Sequence, residues 1–586
     1  MDNSRKTRRR LAVTVLLILC VVSLFVGRLV DIQVVQAEEL NKESYGKRSI
    51  TATEYAARGD IVDTNGVVLA GSVDRFDITA SPRAVGDDFD RRGADGKKVK
   101  ITFEQGITEL AEATGETEEN LVATLRNDPE SNFVFLSKSR ELDVLLKVQA
   151  LKIPWVYSQL RPSRTYPNGA VAGNLVGFIG TDGPQAGLEL AQDQCVASKN
   201  GTSVYERSPD GVRIPGSTVT TKEAKPGGTL RLTIDSDFQW YVTEVTAKRA
   251  KELGAKWATA AVVRVKDAHI MAIADYPTVD PNNVSGAKRT ALGSVAFTTP
   301  YEPGSTMKPL TAASLLDAGK ITQTTHVETP SILSVNGGGT IKDSFSHGTI
   351  RYTTAGVITN SSNIGISLLS KKLSKAERRD YLVKFGLDKK TDVDFLYEAN
   401  GNVPEVDRWD AITQYAVSFG QGMTTTTAQV ASAYQALGND GVRLPLTLVE
   451  GCEWPDGTVT DTPKTEGVRV VSKSAANQTV QMMENVVTQG WLSNELKIPG
   501  YRVAAKTGTA QVAENGRYGN NYVISVAGMV PAEDPEYVVI LTFGEPDTLK
   551  TSGAAAPTFK KIMTQVIKTF TVTPSTKSAP SIPQTY

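Results

Sequence analysis

From Leu11 to Gly27 the chain carries no charged residue (LAVTVLLILCVVSLFVG), and Arg5, Lys6, Arg8, Arg9 and Arg10 stand directly before it. A helix over this run rises about 1.5 Å per residue and nearly crosses a hydrocarbon layer, and Arg28 can snorkel at its far end. Basic residues before the run, with Asp31, Glu38 and Glu39 after it, predict a cytoplasmic N-terminus. The pattern predicts a tail over 1–10 and a single anchor over 11–30, with everything later on the outer side. A signal peptide ending near Val35-Gln36-Ala37 is the alternative, and the apolar run is long for one.

Beyond the anchor the apolar positions alternate over short stretches. Arg58–Ala70 (RGDIVDTNGVVLA) reads as strand, Asn-Gly turn and strand. The same alternation gives Arg58-Gly59-Asp60 a structural role in preference to adhesion. Gly86–Lys100 is charged and loop-like. Glu109–Thr114, Thr117–Arg126 and Lys138–Leu151 read as helices, with Gly115 parting the first two. Lys225-Pro226-Gly227-Gly228 marks a boundary. A second unit then shows a strand at Leu230–Ile234 and a helix at Phe238–Leu253. A hairpin spans Ala258–Val265 and His269–Asp275. Later strands fall at Tyr501–Ala505, Tyr522–Val530 and Tyr537–Phe543, and Thr558–Phe570 is a closing helix. The expected domains are an N-terminal unit over 31–228 and a main domain over 229–570. Residues 571–586, rich in Pro, Ser and Thr, are an expected disordered tail. Hairpins at both ends of the main domain, with helices between, imply an α/β (α+β) fold: an antiparallel sheet flanked by helices.

Composition narrows the class. At 586 residues, 40% hydrophobic and 22% charged, the chain is globular and holds several domains. Lys+Arg and Asp+Glu are each 64, and no basic cluster follows the N-terminus, so nothing points to nucleic acid. The three histidines are scattered and form no metal spacing; neither metal nor cofactor is expected. Cys195 and Cys452 lie outside the anchor, either bridged or as two buried thiols.

Three short motifs carry candidate chemistry, each weak alone. SxxK occurs at Ser44/Lys47, Ser285/Lys288 and Ser305/Lys308, and only Ser305 opens an apolar helix (TMKPLTAASLLDAG) that Gly319 ends. Residues i and i+3 of a helix share a face, with Cβ atoms about 5–6 Å apart, so Lys308 can reach Ser305. A serine is a poor nucleophile until a base takes its proton, and a lysine serves if burial or another cation lowers its pKa. The bland alternative is a helix cap beside a surface lysine. SxN occurs at Ser198/Asn200, Ser334/Asn336 and Ser361/Asn363, and the helical pattern over Ala355–Lys371 favours Ser361. Its hydroxyl would pass a proton while Asn363 holds a peptide group; a capped turn is the plain alternative. Lys506-Thr507-Gly508 occurs once and is expected just after the strand ending at Ala505. Lys506 offers charge, Thr507 and Thr509 offer hydroxyls, and Gly508 admits a close ligand.

In that order the motifs resemble the serine penicillin-binding protein and β-lactamase superfamily. RLVDIQVV, RGDIVDTNGVVLA, RTYPNG, GLE, YEPGSTMKP, NSSNIG, SFGQGM and KTGTAQ extend the likeness over nearly the whole chain. The set is most similar to class B penicillin-binding proteins, and RLVDIQ with GNNYVISVAGMVPAEDPEYVVIL to the cell-division type. The resemblance implies a transpeptidase domain on an N-terminal pedestal. It implies a D,D-transpeptidase that crosslinks peptidoglycan stem peptides, with a D-Ala-D-Ala donor and an amine acceptor, and that β-lactams acylate. Carried over by motif, Ser305 is the nucleophile, Lys308 its base, Ser361 the proton relay and Asn363 the residue orienting the donor. Lys506 sets the electrostatics, and Thr507, Gly508 and Thr509 bind substrate. The backbone N–H groups of Ser305 and Thr509 form the implied oxyanion hole. The implied partners are the membrane, a polytopic SEDS-type glycan polymerase and other division proteins. The alternatives are an elongation-type enzyme, a D,D-carboxypeptidase or β-lactamase in which water takes the acyl group, and an inactive division scaffold.

Overall fold

The computed structural model describes every residue except 1, 93–95, 181, 207–213, 289, 290, 515 and 516. It divides into two compact units, each assembled from separated stretches of chain. The smaller takes 1–57, 74–162 and 198–226; the larger takes 58–73, 163–197 and 227–586. The sequence suggests a single crossing near 228. In the structure the chain passes between units repeatedly, because the RGDIVDTNGVVLA hairpin and the RTYPNG and GLE stretches bury their apolar sides in the larger core.

In the smaller unit a helix spans Asp2–Val30. Ser4–Val35 is long and apolar enough to cross a membrane, with a mean hydropathy of 2.6 over its most apolar window, none of it buried within the protein. A sheet of Phe76–Ala80 between Val134–Arg140 and Val156–Leu160 packs against helices Phe103–Thr114, Glu118–Asn127 and Leu142–Leu151. Ile78, Leu110, Leu121, Leu136, Leu145 and Trp155 meet in its core. Thr102 caps the first helix through a reciprocal box with Gln105, and Gly115 ends it at φ +73°. Lys138 to Arg140, expected in a helix, are strand: Arg140 pairs with Phe76, and the helix starts only at Leu142.

In the larger unit the elements around the central sheet are numbered in chain order. The strands are β1 (Trp257–Arg264), β2 (Ile270–Tyr276), β3 (Ala504–Glu514), β4 (Arg517–Val530) and β5 (Tyr537–Gly544). All pair antiparallel, in the order β2-β1-β5-β4-β3. Successive side chains of a strand point to opposite faces. Ala258, Ala260 and Val262 accordingly join Leu541, Phe543, Phe238, Phe559 and Met563 in one core, under helices Ser236–Leu253 and Ala556–Thr569. Ala261 and Val263 face the opposite core with Ile540, Met307, Leu310, Tyr434 and Met483. Helices Lys308–Asp317, Thr427–Gly438 and Lys473–Gln489 cover that second face. The helices and sheet match the expected α+β class. Both faces are covered, so the central strands are buried almost throughout.

A second sheet runs Val459–Thr460, Val449–Glu453, Thr229–Leu232, Ile61–Val62, Val68–Val73 and Ser163–Thr165. Beside it the buried Glu189 carboxylate receives Arg58 Nε at 2.7 Å and Arg164 Nε at 2.6 Å, so the Arg58-Gly59-Asp60 triplet is structural. Cys195 and Cys452 form a disulfide in the same region.

Residues 571–586 are not a loose tail. Val572 and Ile582 are buried, Ser575 N–H donates to Gly500 O, and Thr585 bridges Tyr352. Pro580 and Pro583 exclude helix but allow an extended strap. Composition alone does not reveal the groove that receives it.

Candidate active site

Ser305 lies in a tight turn, Gly304–Met307, that runs directly into the helix α1 (Lys308–Asp317). Pro309 falls in the first helical turn, where a missing N–H is tolerated. Thr306 Oγ1 donates to Pro303 O at 2.9 Å and Tyr434 Oη donates to Thr306 O at 2.7 Å, so the turn is pinned from below. Gly304 N–H donates to Gly420 O at 2.9 Å. Gly420, in the SFGQGM stretch, has φ +79°, and a Cβ there would stand 2.2 Å from Gly304 O. Only glycine fits that approach.

Ser361 arrives on a turn between two short helices, α2 (Thr354–Thr359) and α3 (Asn363–Ser370). Ser362 caps α3, accepting Gly365 N–H at 2.8 Å. Ser361 itself is left-handed, at φ +58°. For a non-glycine residue this costs about 1–3 kcal/mol and persists only where its surroundings hold it. Here they do: the Ser361 carbonyl accepts Lys308 Nζ at 2.5 Å.

The Lys506-Thr507-Gly508 motif lies inside β3, the sheet-edge strand, not after a strand as the sequence suggests. The strand begins later, at Ala504, and continues because residues 504–511 pair in register with Met529–Tyr522 of β4. β3 packs on the Ser305 turn: a Cβ at Gly304 would lie 3.0 Å from Ala510 Cβ and 3.4 Å from the Thr509 carbonyl carbon. Thr507 is buried, whereas Thr509 is exposed and accepts Ser552 N–H at 3.3 Å.

The three motifs converge on two amines. Lys308 Nζ lies 2.9 Å from Ser305 Oγ, 3.0 Å from Ser361 Oγ and 2.8 Å from Asn363 Oδ1. Lys506 Nζ lies 2.9 Å from Ser361 Oγ and 3.0 Å from Thr507 O. Both lysines are fully buried, and Ser305 is half-buried. Burial holds Lys308 well below the ordinary lysine pKa; the Lys506 charge adds to this and the Asp343 carboxylate opposes it. Burial brings Lys506 down to about 7. A neutral amine has two protons and one lone pair. With its protons on Ser361 O and Asn363 Oδ1, the lone pair of Lys308 faces the Ser305 hydroxyl.

The other candidates do not join this cluster. Lys47 pairs with Glu43 on an exposed helix, and Ser285 Oγ donates to Asn283 Oδ1 in a loop. Asn200 accepts Ala56 N–H, and Ser334 lies in a two-residue strand. Asn363, read as a substrate-orienting amide, is occupied at both ends: Oδ1 on Lys308, and Nδ2 donating to Lys342 O at 3.0 Å. Asp343 escapes a sequence reading. Its buried carboxylate accepts Ser362 Oγ at 2.6 Å and Ile364 N–H at 3.0 Å, and meets His347 Nε2 at 3.2 Å. A lone acidic residue in a polar loop carries no signal for this. Among the described residues no group of His, Cys, Asp and Glu is arranged to hold a metal ion.

The chain is similar to known proteins along both units. Residues 258–564 match the penicillin binding protein transpeptidase domain, and residues 53–232 match the penicillin-binding protein dimerisation domain. Penicillin-binding protein PbpB of Mycolicibacterium smegmatis is 31% identical, over 98% of this chain and 91% of its own length. Peptidoglycan D,D-transpeptidase FtsI of Escherichia coli is 30% identical, over 95% of this chain and 91% of its own. The crystal structure of penicillin binding protein 3 from Mycobacterium tuberculosis complexed with aztreonam superposes with a TM-score of 0.67 at 29% identity, covering 89% of this chain and 98% of that one. The chain belongs to the class B penicillin-binding proteins of the cell-division type.

Proposed function

We propose that this chain crosslinks peptidoglycan as a serine D,D-transpeptidase in septal wall synthesis, and that Ser305, Lys308, Ser361 and Lys506 carry the reaction. The observation that supports this most is the Lys308 amine, fully buried and 2.9 Å from Ser305 Oγ, beside a second buried lysine. Ser305 Oγ attacks the carbonyl of the penultimate D-Ala while Lys308 Nζ takes its proton. Backbone N–H groups of Ser305 and Thr509 receive the developing oxyanion; one such donor is worth about 3–4 kcal/mol in a serine enzyme. The Ser361 hydroxyl, between the two amines, delivers a proton to the leaving nitrogen as the C–N bond breaks, and D-Ala departs. An amine of a second stem peptide then attacks the Ser305 ester, gives up a proton through the same relay, and restores the serine hydroxyl. Lys506 and Thr507 grip the substrate carboxylate, Gly508 lets it approach the strand, and Asn363 holds Lys308 in place.

Transfer to an amine is favoured over hydrolysis. Among the described residues, the hydrogen-bond partners of Lys308 Nζ are Ser305, Ser361 and Asn363, none of them a carboxylate that could relay a proton from water through that amine. β-Lactams mimic the donor and acylate Ser305. In this reading Ser4–Val35 anchors the enzyme with its N-terminus cytoplasmic and the catalytic unit outside. The smaller unit beyond the anchor, with 74–162 and 198–226, serves as the pedestal, and the family resemblance points to a glycan polymerase and other division proteins as partners. A labelled penicillin tests the assignment: one covalent adduct is expected, on Ser305 by peptide mass spectrometry. Labelling that persists in Ser305→Ala overturns it.

A further inference from the structure

The strap over 582–586 holds both ends of α2, the six-residue helix that delivers Ser361. At the start of α2, the cap residue Thr353 donates its N–H to Gln584 O at 2.9 Å and its hydroxyl to Pro583 O at 2.5 Å. At the other end Asn360 Nδ2 donates to Gln584 Oε1 at 2.7 Å, one residue before Ser361. Between them Gly356 lies so close that a Cβ there would stand 1.9 Å from Gln584 O. The strap is itself tied down. Asn485 Nδ2 donates to Ile582 O at 2.9 Å and Gln584 Nε2 donates to Gln489 Oε1 at 2.9 Å. Ile582 is buried in the same core as Val357, Ile358 and Ile364, and the Tyr586 ring stacks on His326 at 3.6 Å.

We infer that Gln584 is a positioning residue for acyl transfer, acting through Asn360 to hold Ser361 in its left-handed conformation between the two lysines. The physical demand is specific. A non-glycine residue at φ +58° relaxes unless neighbouring bonds over-determine it. When Ser361 relaxes, its carbonyl and hydroxyl leave Lys308 and its hydroxyl leaves Lys506. Asn360 is the last residue before that turn, and its amide is held by Gly356 O at 3.0 Å on the helix side and by Gln584 on the strap side. Without Gln584 only the bond within the helix remains. Thr353, Gly356 and Asn360 all meet one residue of the strap, so the strap fixes α2 as a unit and sets where the Ser361 turn begins.

The inference rests on the transpeptidase reading, and the experiment separates the two. Labelling of wild-type Ser305 by penicillin tests the reaction. The clamp is tested by ratios of second-order acylation rate constants among full-length variants, each with its melting temperature. Gln584→Ala is expected to acylate about ten- to a hundredfold more slowly, with a melting temperature close to wild type because Gln584 is half-exposed. Gln584→Glu keeps an oxygen acceptor for Asn360 and is expected to restore the wild-type rate. Asn360→Ala is expected to match Gln584→Ala, and the double variant to be no slower than the slower single variant, since both remove one linkage. A wild-type rate in Gln584→Ala overturns the inference. So does a Gln584→Glu variant as slow as Gln584→Ala, or losses that multiply in the double variant.

Discussion

Lys308 and Lys506, far apart along the chain, share a single hydroxyl: Ser361 Oγ lies 3.0 Å from the first amine and 2.9 Å from the second. Two buried ammonium groups this close repel each other, so the arrangement favours a state in which one proton is missing. Lys308 has Ser305 and Asn363 as further partners, and both burial and the Lys506 charge lower its pKa, whereas burial alone lowers that of Lys506. The charge that remains is on Lys506, beside the strand that would receive a carboxylate. In the proposed reaction the pair separates a neutral base from a cationic anchor.

Removing the base should leave the fold and abolish the chemistry. In Lys308→Ala, penicillin acylation is expected to fall by about a hundred- to ten-thousandfold, the range of a positioned general base. Circular dichroism should stay native-like. Wild-type labelling rates in that variant exclude Lys308 as the base.

The pH profile follows from the two amines. Acylation by the free enzyme should rise with pH as Lys308 loses its proton, at a pH well below that of an ordinary lysine. It should fall again near pH 7, where Lys506 loses the charge that binds the carboxylate. In Lys506→Arg, which keeps its charge, the descending limb should vanish. A limb unchanged in that variant assigns it to another group.

Stability should move the opposite way from activity at Lys506. Its pKa is depressed from 10.5 to about 7 on folding, so between those values the unfolded chain binds the extra proton. Stability therefore rises with pH across that window and is lowest below about 7. Replacement by Met removes the burial penalty, and Lys506→Met is expected to be about 1–2 kcal/mol more stable at neutral pH. Its stability should also rise less steeply between pH 7 and 10.5, as read by denaturant titration.

The Cys195–Cys452 bridge joins chain positions 257 residues apart within the larger unit. Paired Cys195→Ser and Cys452→Ser changes are expected to lower stability by about 2–4 kcal/mol, with acylation intact below the melting temperature. Loss of acylation in a still-folded variant would tie the bridge to the site instead.

Gly420 tests the support under the Ser305 turn. Gly420→Ala places a Cβ on Gly304 O at a positive φ, and the turn carrying Ser305 must shift. Slower acylation is expected, by about a hundredfold for a displacement near 1 Å. The measurement is the acylation rate constant beside the melting temperature.

Much of the site is readable from local chemistry. Ser305 and Lys308 lie one helical turn apart, and that spacing alone puts them in reach of each other. Ser361 was separable from Ser334 because only its surroundings have helical periodicity. The Ala258–Asp275 hairpin and the strand at Tyr537 follow from alternation. Sequence and structure differ where a distant segment decides the outcome. Lys138 to Arg140 look helical by neighbours and are strand because Phe76 pairs with Arg140. The Lys506 motif looks like a strand end, yet β4 extends the strand through it. Cys195 and Cys452 left both outcomes open until the fold brought them together.

What the sequence by itself determined is the set of reactive groups and the local geometry that short spacings enforce: a serine and lysine on one turn, a polar cap between helices, an apolar run long enough for a bilayer. The tertiary structure alone decided the burial that lowers the pKa of both lysines, the left-handed state of Ser361 and the docking of residues 571–586. Those depend on what surrounds a group after folding. Burial removes water from an amine, a carbonyl reaches that amine across the core, and a groove gives a plain strap its partners.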